Sequence, residues 1–63
     1  MPVIKVDMWA GRPASTKKKL ISELTAAASS ALGCPAAAVT VIITEVPKEN
    51  WGEEGKQASD SVS

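Results

Sequence analysis

The sequence predicts a small α/β subunit: one β-strand, helix, β-strand unit with a short carboxy-terminal hairpin, with residues 1–63 forming a single domain. Three observations predict it. Residues 3–9, VIKVDMW, alternate between apolar and polar; residues 14–32 carry apolar side chains at helical spacing; and residues 39–46, VTVIITEV, are β-branched and apolar on both parities.

In the first strand Ile4, Val6 and Met8 share one face while Lys5 and Asp7 share the other, the pattern of a half-buried strand. AGRPAS then breaks the alternation, with Gly11 able to turn and Pro13 suited to a first helical turn. From Ala14 to Leu32 the residues Leu20, Ile21, Leu24, Ala27, Ala28, Ala31 and Leu32 form one apolar stripe, which Gly33 and Pro35 bring to an end. Apolar residues on both parities of the second strand are expected where both faces of a sheet are covered. Two strands joined by a helix of this length are normally parallel. The glycines of NWGEEGK, Gly52 and Gly55, predict a turn or short hairpin, and the serine-rich end after Ala58 is expected to fray.

A 63-residue chain is short of core. A domain of about 60 residues buries only about 60% of the surface that its unfolded chain exposes, and small domains compensate with disulfides, a metal or association. Cys34 is the single cysteine and there is no histidine, so neither an internal disulfide nor a metal site is expected. Association remains. The helix covers one face of the sheet, and the polar remainder after residue 46 has nothing with which to cover the other. A lone thiol, with no apolar run of membrane-spanning length and no signal-like leader, predicts a soluble cytoplasmic protein with no membrane contact. Seven basic and seven acidic residues cancel, and the one basic run, Lys17 to Lys19, reads as a solvated helix face. No nucleic-acid partner is expected.

Pro2 stands directly behind Met1. Trimming of Met1 would turn its imide nitrogen into a secondary amine at the head of a strand. The α-amino reference pKa is about 7.7–8.0, and burial or a neighbouring cation lowers it by disfavouring the charged form. A largely neutral amine near pH 7 meets the requirement of a general base, a role for which a histidine-free chain offers few alternatives. The competing reading is a proline that merely starts a strand.

Pro2, the GR turn at Gly11 and Arg12, the helix, CP at Cys34 and Pro35, and VTVIITEVPKENWG together resemble the 4-oxalocrotonate tautomerase family of the tautomerase superfamily, over nearly the whole chain. The resemblance implies a tautomerase-like fold, dimers that join their sheets, and a homo-oligomeric hexamer built as a trimer of dimers with sites at subunit boundaries. It also implies a keto–enol tautomerase acting on a small enol or keto acid such as a 2-hydroxydienoate. Pro2 would carry the proton from the oxygen side to a carbon, without metal or organic cofactor.

Arg12 matches the family's carboxylate-binding arginine, whose planar fork suits a carboxylate or dienolate oxygen, and its competing reading is a surface arginine in a turn. Trp51 occupies the family's aromatic position against the proline, where it would exclude water and lower the amine's pKa. It reads equally as an interface anchor. Trp9 corresponds to a pocket-lining position, and packing explains it as well. Thr40 departs from the family, standing where well-known members carry a second arginine for the α-keto acid end of the substrate. Glu53 matches the water-activating carboxylate of the superfamily's dehalogenases, which gives a second enzyme reading, hydration of an unsaturated acid. Those enzymes, however, have an additional arginine where this chain has Trp9. A third reading is a non-catalytic oligomeric binding protein on the same fold.

Overall fold

The structure, a computed structural model, describes residues 1–61. Strand β1 (Val3–Trp9) and strand β2 (Thr40–Val46) pair in parallel without interruption, from Val3 opposite Thr40 to Trp9 opposite Val46. Thr40 N–H donates to the Pro2 carbonyl at 2.9 Å, and Ala10 N–H donates to the Val46 carbonyl at 3.0 Å, extending the ladder at each end. β2 begins at Thr40 rather than at residue 39. Ala36–Ala38 form a 3-10 turn, and Val39 N–H closes it on the Ala36 carbonyl at 3.0 Å.

Helix α1 (Ala14–Leu32) makes the crossover. Pro13 precedes it in extended backbone, and its carbonyl accepts from Thr16 at 3.1 Å and Lys17 at 3.3 Å. Gly33 ends the helix in the left-handed region at φ 68°, which only glycine enters without a Cβ penalty. Its N–H and that of Cys34 both turn back to the Ser29 carbonyl, at 3.0 and 3.3 Å, while Ser29 Oγ donates to the Cys34 carbonyl. No described helix is long and apolar enough to cross a membrane.

The chain continues through a 3-10 turn at Lys48–Asn50 into a hairpin of β3 (Gly52–Glu53) and β4 (Lys56–Gln57). Its two loop residues, Glu54 and Gly55, both have positive φ, 54° and 77°, as the tight two-residue hairpin turn requires. Fraying after Ala58 is not observed within the described residues. Ala58–Ser61 form a short helical turn, α2, because Ala58 N–H bonds to the Trp51 carbonyl at 2.8 Å and folds the segment back onto the preceding turn. Gln57 Nε2 adds a bond to the Glu49 carbonyl at 2.8 Å. Residues 62 and 63, the remainder of the expected frayed end, lie outside the described residues.

Alternation sorts the sheet's two faces. Ile4, Val6 and Met8 of β1 and Val41 and Ile43 of β2 are half-buried on the helix side, whereas Val3, Lys5, Asp7, Thr40, Ile42 and Thr44 lie open on the other. The expected apolar stripe of α1 is buried only in part. Leu20, Leu24 and Ala28 are half-buried, but Ile21, Ala27, Ala31 and Leu32 remain exposed, because a two-stranded sheet is too narrow to cover the whole stripe. Ala58, at 5% exposure, is the one fully buried residue among those described.

The shape has the same cause. The chain exposes 4625 Å², against about 3,800 Å² for a folded monomer of this length, and its radius of gyration is 14.6 Å against about 11 Å. Its extents are 42 × 24 × 13 Å, which is one helix lying on one ribbon. Ultracentrifugation at micromolar concentration is expected to find no folded monomer, and the thermal midpoint is expected to rise with protein concentration. Ile42→Lys, which charges the open face without touching the helix side, is expected to lower that midpoint. A monodisperse folded monomer with a concentration-independent midpoint would contradict this.

Candidate functional site

The sheet carries the expected site residues in two groups, one at each end. Pro2 is half-buried immediately before β1, its carbonyl held by Thr40 N–H, and the Met1 ammonium donates to the Ala38 carbonyl at 2.8 Å. Thr40 opens β2 beside it, exposed on the uncovered face. Seven residue steps separate Pro2 from Trp9, and at about 3.3 Å per residue that is about 23 Å. One chain therefore brings Pro2 to Thr40 but not to Arg12, Trp9 or Trp51.

Those three do meet at the far end. Trp9 and Trp51 pack edge to face with centroids 6.2 Å apart and planes at 82°. Such a pair contributes about 0.5–1.5 kcal/mol beyond the area it buries. Trp51 is brought there by the 3-10 turn at Lys48–Asn50, where Asn50 and Trp51 N–H return to the Pro47 and Lys48 carbonyls at 2.8 and 3.2 Å. Lys48 Nζ lies over the Trp9 ring, 5.0 Å from its centroid. Trp51 Nε1 donates to Glu53 Oε2 at 3.3 Å, which ties the Glu53 carboxylate to the same group. Trp9 Nε1 is shielded from solvent without a hydrogen-bond partner.

Arg12 is exposed in the connection between β1 and α1, and its Nη1 makes a long 3.5 Å bond to the Trp9 carbonyl. Gly11 before it sits at φ 120°, a backbone that L-residues rarely adopt, so the turn directing Arg12 depends on that glycine. The turn is braced from below. Glu45, on the helix-side parity of β2, pairs with Lys17 of α1 at 2.8 Å. The hydrogen bond from Lys17 is the main influence holding the Glu45 carboxyl below its ordinary value; desolvation opposes it, and the lysine's charge and then the Gly11 backbone N–H add to the lowering.

Glu45 and Lys48 were not expected to matter from sequence. Glu45 did carry a signal, a charge on the parity of Val41 and Ile43. Lys48 carried none, because its contact with Trp9 joins residues distant in sequence. A shallow hollow lined by Glu53, Glu54, Lys56 and Ala58 lies at the hairpin and contains no other expected site residue. The described residues hold no cluster of three potential metal ligands.

Comparison with known proteins gives a consistent result. A family model described as tautomerase enzyme matches residues 2–61. The chain is 43% identical over 60 residues to a 2-hydroxymuconate tautomerase of Comamonas testosteroni, covering 95% of each, and 47% identical over 55 residues to a probable tautomerase of Ralstonia nicotianae, covering 87% of this chain and 79% of that one. Among solved structures it superposes with TM-score 0.92 on a heterohexamer 4-oxalocrotonate tautomerase from Chloroflexus aurantiacus, at 35% identity over 95% of this chain and 97% of that one.

Glu45 generates a pH test. Its lowered folded-state pKa means that its stabilising effect is fully present above the unfolded value, about 4.3, and is lost as pH falls through the lower folded value. In chemical denaturation the stability difference between the unmodified protein and Glu45→Gln is expected to be constant from pH 7 to about 5 and to shrink below about 4.3. A difference that grows on acidification would show that the Lys17 contact does not govern this carboxylate.

Proposed function

The chain belongs to the tautomerase family and is a keto–enol isomerase, and on that premise we propose that Pro2, freed by removal of Met1, is its general base. The observation that carries this reading is the placement of Pro2. Its carbonyl is fixed in the sheet by Thr40 N–H at 2.9 Å, so a free nitrogen would stand at a defined point at the head of β1. While Met1 is attached that nitrogen is an amide and has no basic lone pair.

The chemistry follows from a neutral amine so held. It accepts the enol O–H proton, the electrons of the O–H bond form the ketone carbonyl as the carbon–carbon double bond shifts, and the ammonium returns a proton to the substrate carbon. Arg12 holds the carboxylate and offsets charge on the dienolate oxygen between the two transfers, the point at which stabilisation lowers the barrier. Trp51 keeps water from the amine, which favours its neutral form. Trp9 lines the wall. The step needs neither metal nor organic cofactor.

The two-group layout supports a site completed by association. With Pro2 about 23 Å from Trp9 along one strand, the base of one subunit works against Arg12, Trp9 and Trp51 of another. The uncovered sheet face and the exposed Ile21 and Leu32 provide apolar surface for that association. The assembly we propose is a homohexamer, a trimer of dimers, in line with the hexamer named for the Chloroflexus relative. The substrates are small enol acids, and Thr40 makes monocarboxylic ones, such as phenylenolpyruvate or 2-hydroxypentadienoate, better substrates than the dicarboxylic 2-hydroxymuconate.

Intact-mass measurement on protein from its own cells is expected to show Met1 removed, with activity in proportion to the trimmed fraction. General acid–base catalysis contributes about 10²–10⁴-fold, so blocking the Pro2 amine is expected to cost on that order in kcat. Full activity in wholly Met1-retained protein would overturn the mechanism. A hydrogen bond to a charged group is worth about 1.5–3 kcal/mol, so Thr40→Arg is expected to raise kcat/KM for the diacid roughly ten- to a hundredfold relative to a monoacid. An unmodified enzyme that already favours the diacid strongly would remove the case for Thr40. Hydration of an acetylenic acid, lost in Glu53→Gln, is the outcome that would favour the Glu53 reading instead.

A further inference from the structure

Lys48 is a cation that the proposed mechanism leaves unused, and its surroundings are unusual for a lysine. The residue is half-buried, its ammonium lies 5.0 Å from the Trp9 ring centroid, and it forms no ion pair among the described residues. The π face attracts the charge, but it leaves the ammonium's N–H donors without a strong acceptor. Arg12, whose Nη1 touches the Trp9 carbonyl at 3.5 Å, also has no carboxylate partner among the described residues. One cation thus lies over the Trp9 indole and a second reaches the backbone carbonyl of the same residue, neither with an acidic partner among the described residues, and a second indole meets the first edge-on at 6.2 Å. The carboxylate of Glu53 accepts from Trp51 Nε1 in this same group.

We propose that Lys48 acts with Arg12 as the second cation of the carboxylate-binding end of this site, which takes a flat conjugated or aryl-substituted monoanion. The inference rests on reading Arg12, Trp9 and Trp51 as the substrate-binding half of the site. The ligand's π body lies against the indoles while its carboxylate meets the ammonium and the guanidinium together. The ammonium supplies a mobile point charge, and the guanidinium supplies the planar fork that sets orientation. This gives the chain a second positive charge at the Arg12 end, distinct from the Thr40 position at the opposite end of the sheet.

The test is calorimetric titration of the assembled protein with cinnamate, an aryl monocarboxylate, and with cinnamamide, its neutral counterpart. Lys48→Met keeps an unbranched stem over Trp9 and removes the charge, whereas Lys48→Arg keeps the charge. Cinnamate Kd is expected to rise on the order of tenfold in Lys48→Met and to recover in Lys48→Arg, with cinnamamide binding the same in all three. KM for a monocarboxylic enol should rise in parallel while kcat changes little. Equal weakening of both ligands, unchanged cinnamate affinity in Lys48→Met, or no cinnamate binding by the unmodified protein would each overturn the proposal. Lys48-dependent binding without any enol turnover would instead count against the Pro2 mechanism and leave this inference standing.

Discussion

The parallel pairing of β1 with β2 is the constraint on which the rest of this chain depends. Parallel strands cannot be joined by a tight turn, so the chain must cross over, and α1 is that crossover. A single helix can lie on only one face of the ribbon. The opposite face, carrying Val3 and Ile42, stays open, and both strands are edge strands. One fully buried residue among those described is the direct consequence, and the surface excess over a compact monomer measures it. The fold is half of a packing arrangement, and a second subunit is the natural cover for an apolar strand face flanked by unpaired backbone.

The same register sets where the residues of the proposed site lie. Seven paired residues place Pro2 and Thr40 at one end and Trp9, Arg12 and Trp51 at the other. Both of the chain's aromatic residues are committed to the second end, where the Gly11 turn and the Glu45–Lys17 pair also converge. In a chain so poor in buried side chains, an ordered cluster of this kind is hard to explain by packing of the isolated chain alone. It sets a pair of indoles and an exposed guanidinium at one end of the sheet. Structural and functional readings of Trp51 therefore coincide, because an interface anchor and a wall of a shared site are the same object when the site lies between subunits.

Much of this was legible in the sequence, and the reasons are local. The strand over Val3–Trp9 and the helix over Ala14–Leu32 follow from periodicity, and the helix stop follows from Gly33, whose left-handed backbone is a property of one residue. The glycines of its loop predict a turn or short hairpin at Gly52–Gln57, and the structure has the hairpin. What could not be read depends on tertiary geometry. Ala58 becomes the one fully buried residue among those described, beside a backbone bond to Trp51 that no periodicity announces. The exposure of Ile21, Ala27, Ala31 and Leu32 depends on how narrow the sheet is, and a helical stripe does not record that. Lys48 approaches Trp9 only because the 3-10 turn folds the end of β2 back over the end of β1. The resemblance to a known family supplied the proposed site residues that patterning alone would have left as a strand-starting proline and a surface arginine.

Splitting the proposed site between subunits also bears on the base. In one chain Pro2 is only half-buried, so the isolated subunit cannot fully desolvate an amine at that position. Desolvation and a neighbouring cation are the two influences that lower an amine's pKa, and in the proposed assembly both arrive from outside the chain, as the indole of Trp51 and the guanidinium of Arg12 from another subunit. Association then does more than bury the open sheet. On the proposed mechanism it would also convert the terminal amine of a trimmed Pro2, ordinarily largely protonated near neutral pH, into one with a usable lone pair. In the proposed assembly stability and basicity would draw on the same interface, because the chain that leaves its sheet open on one face also holds Pro2 apart from Arg12, Trp9 and Trp51.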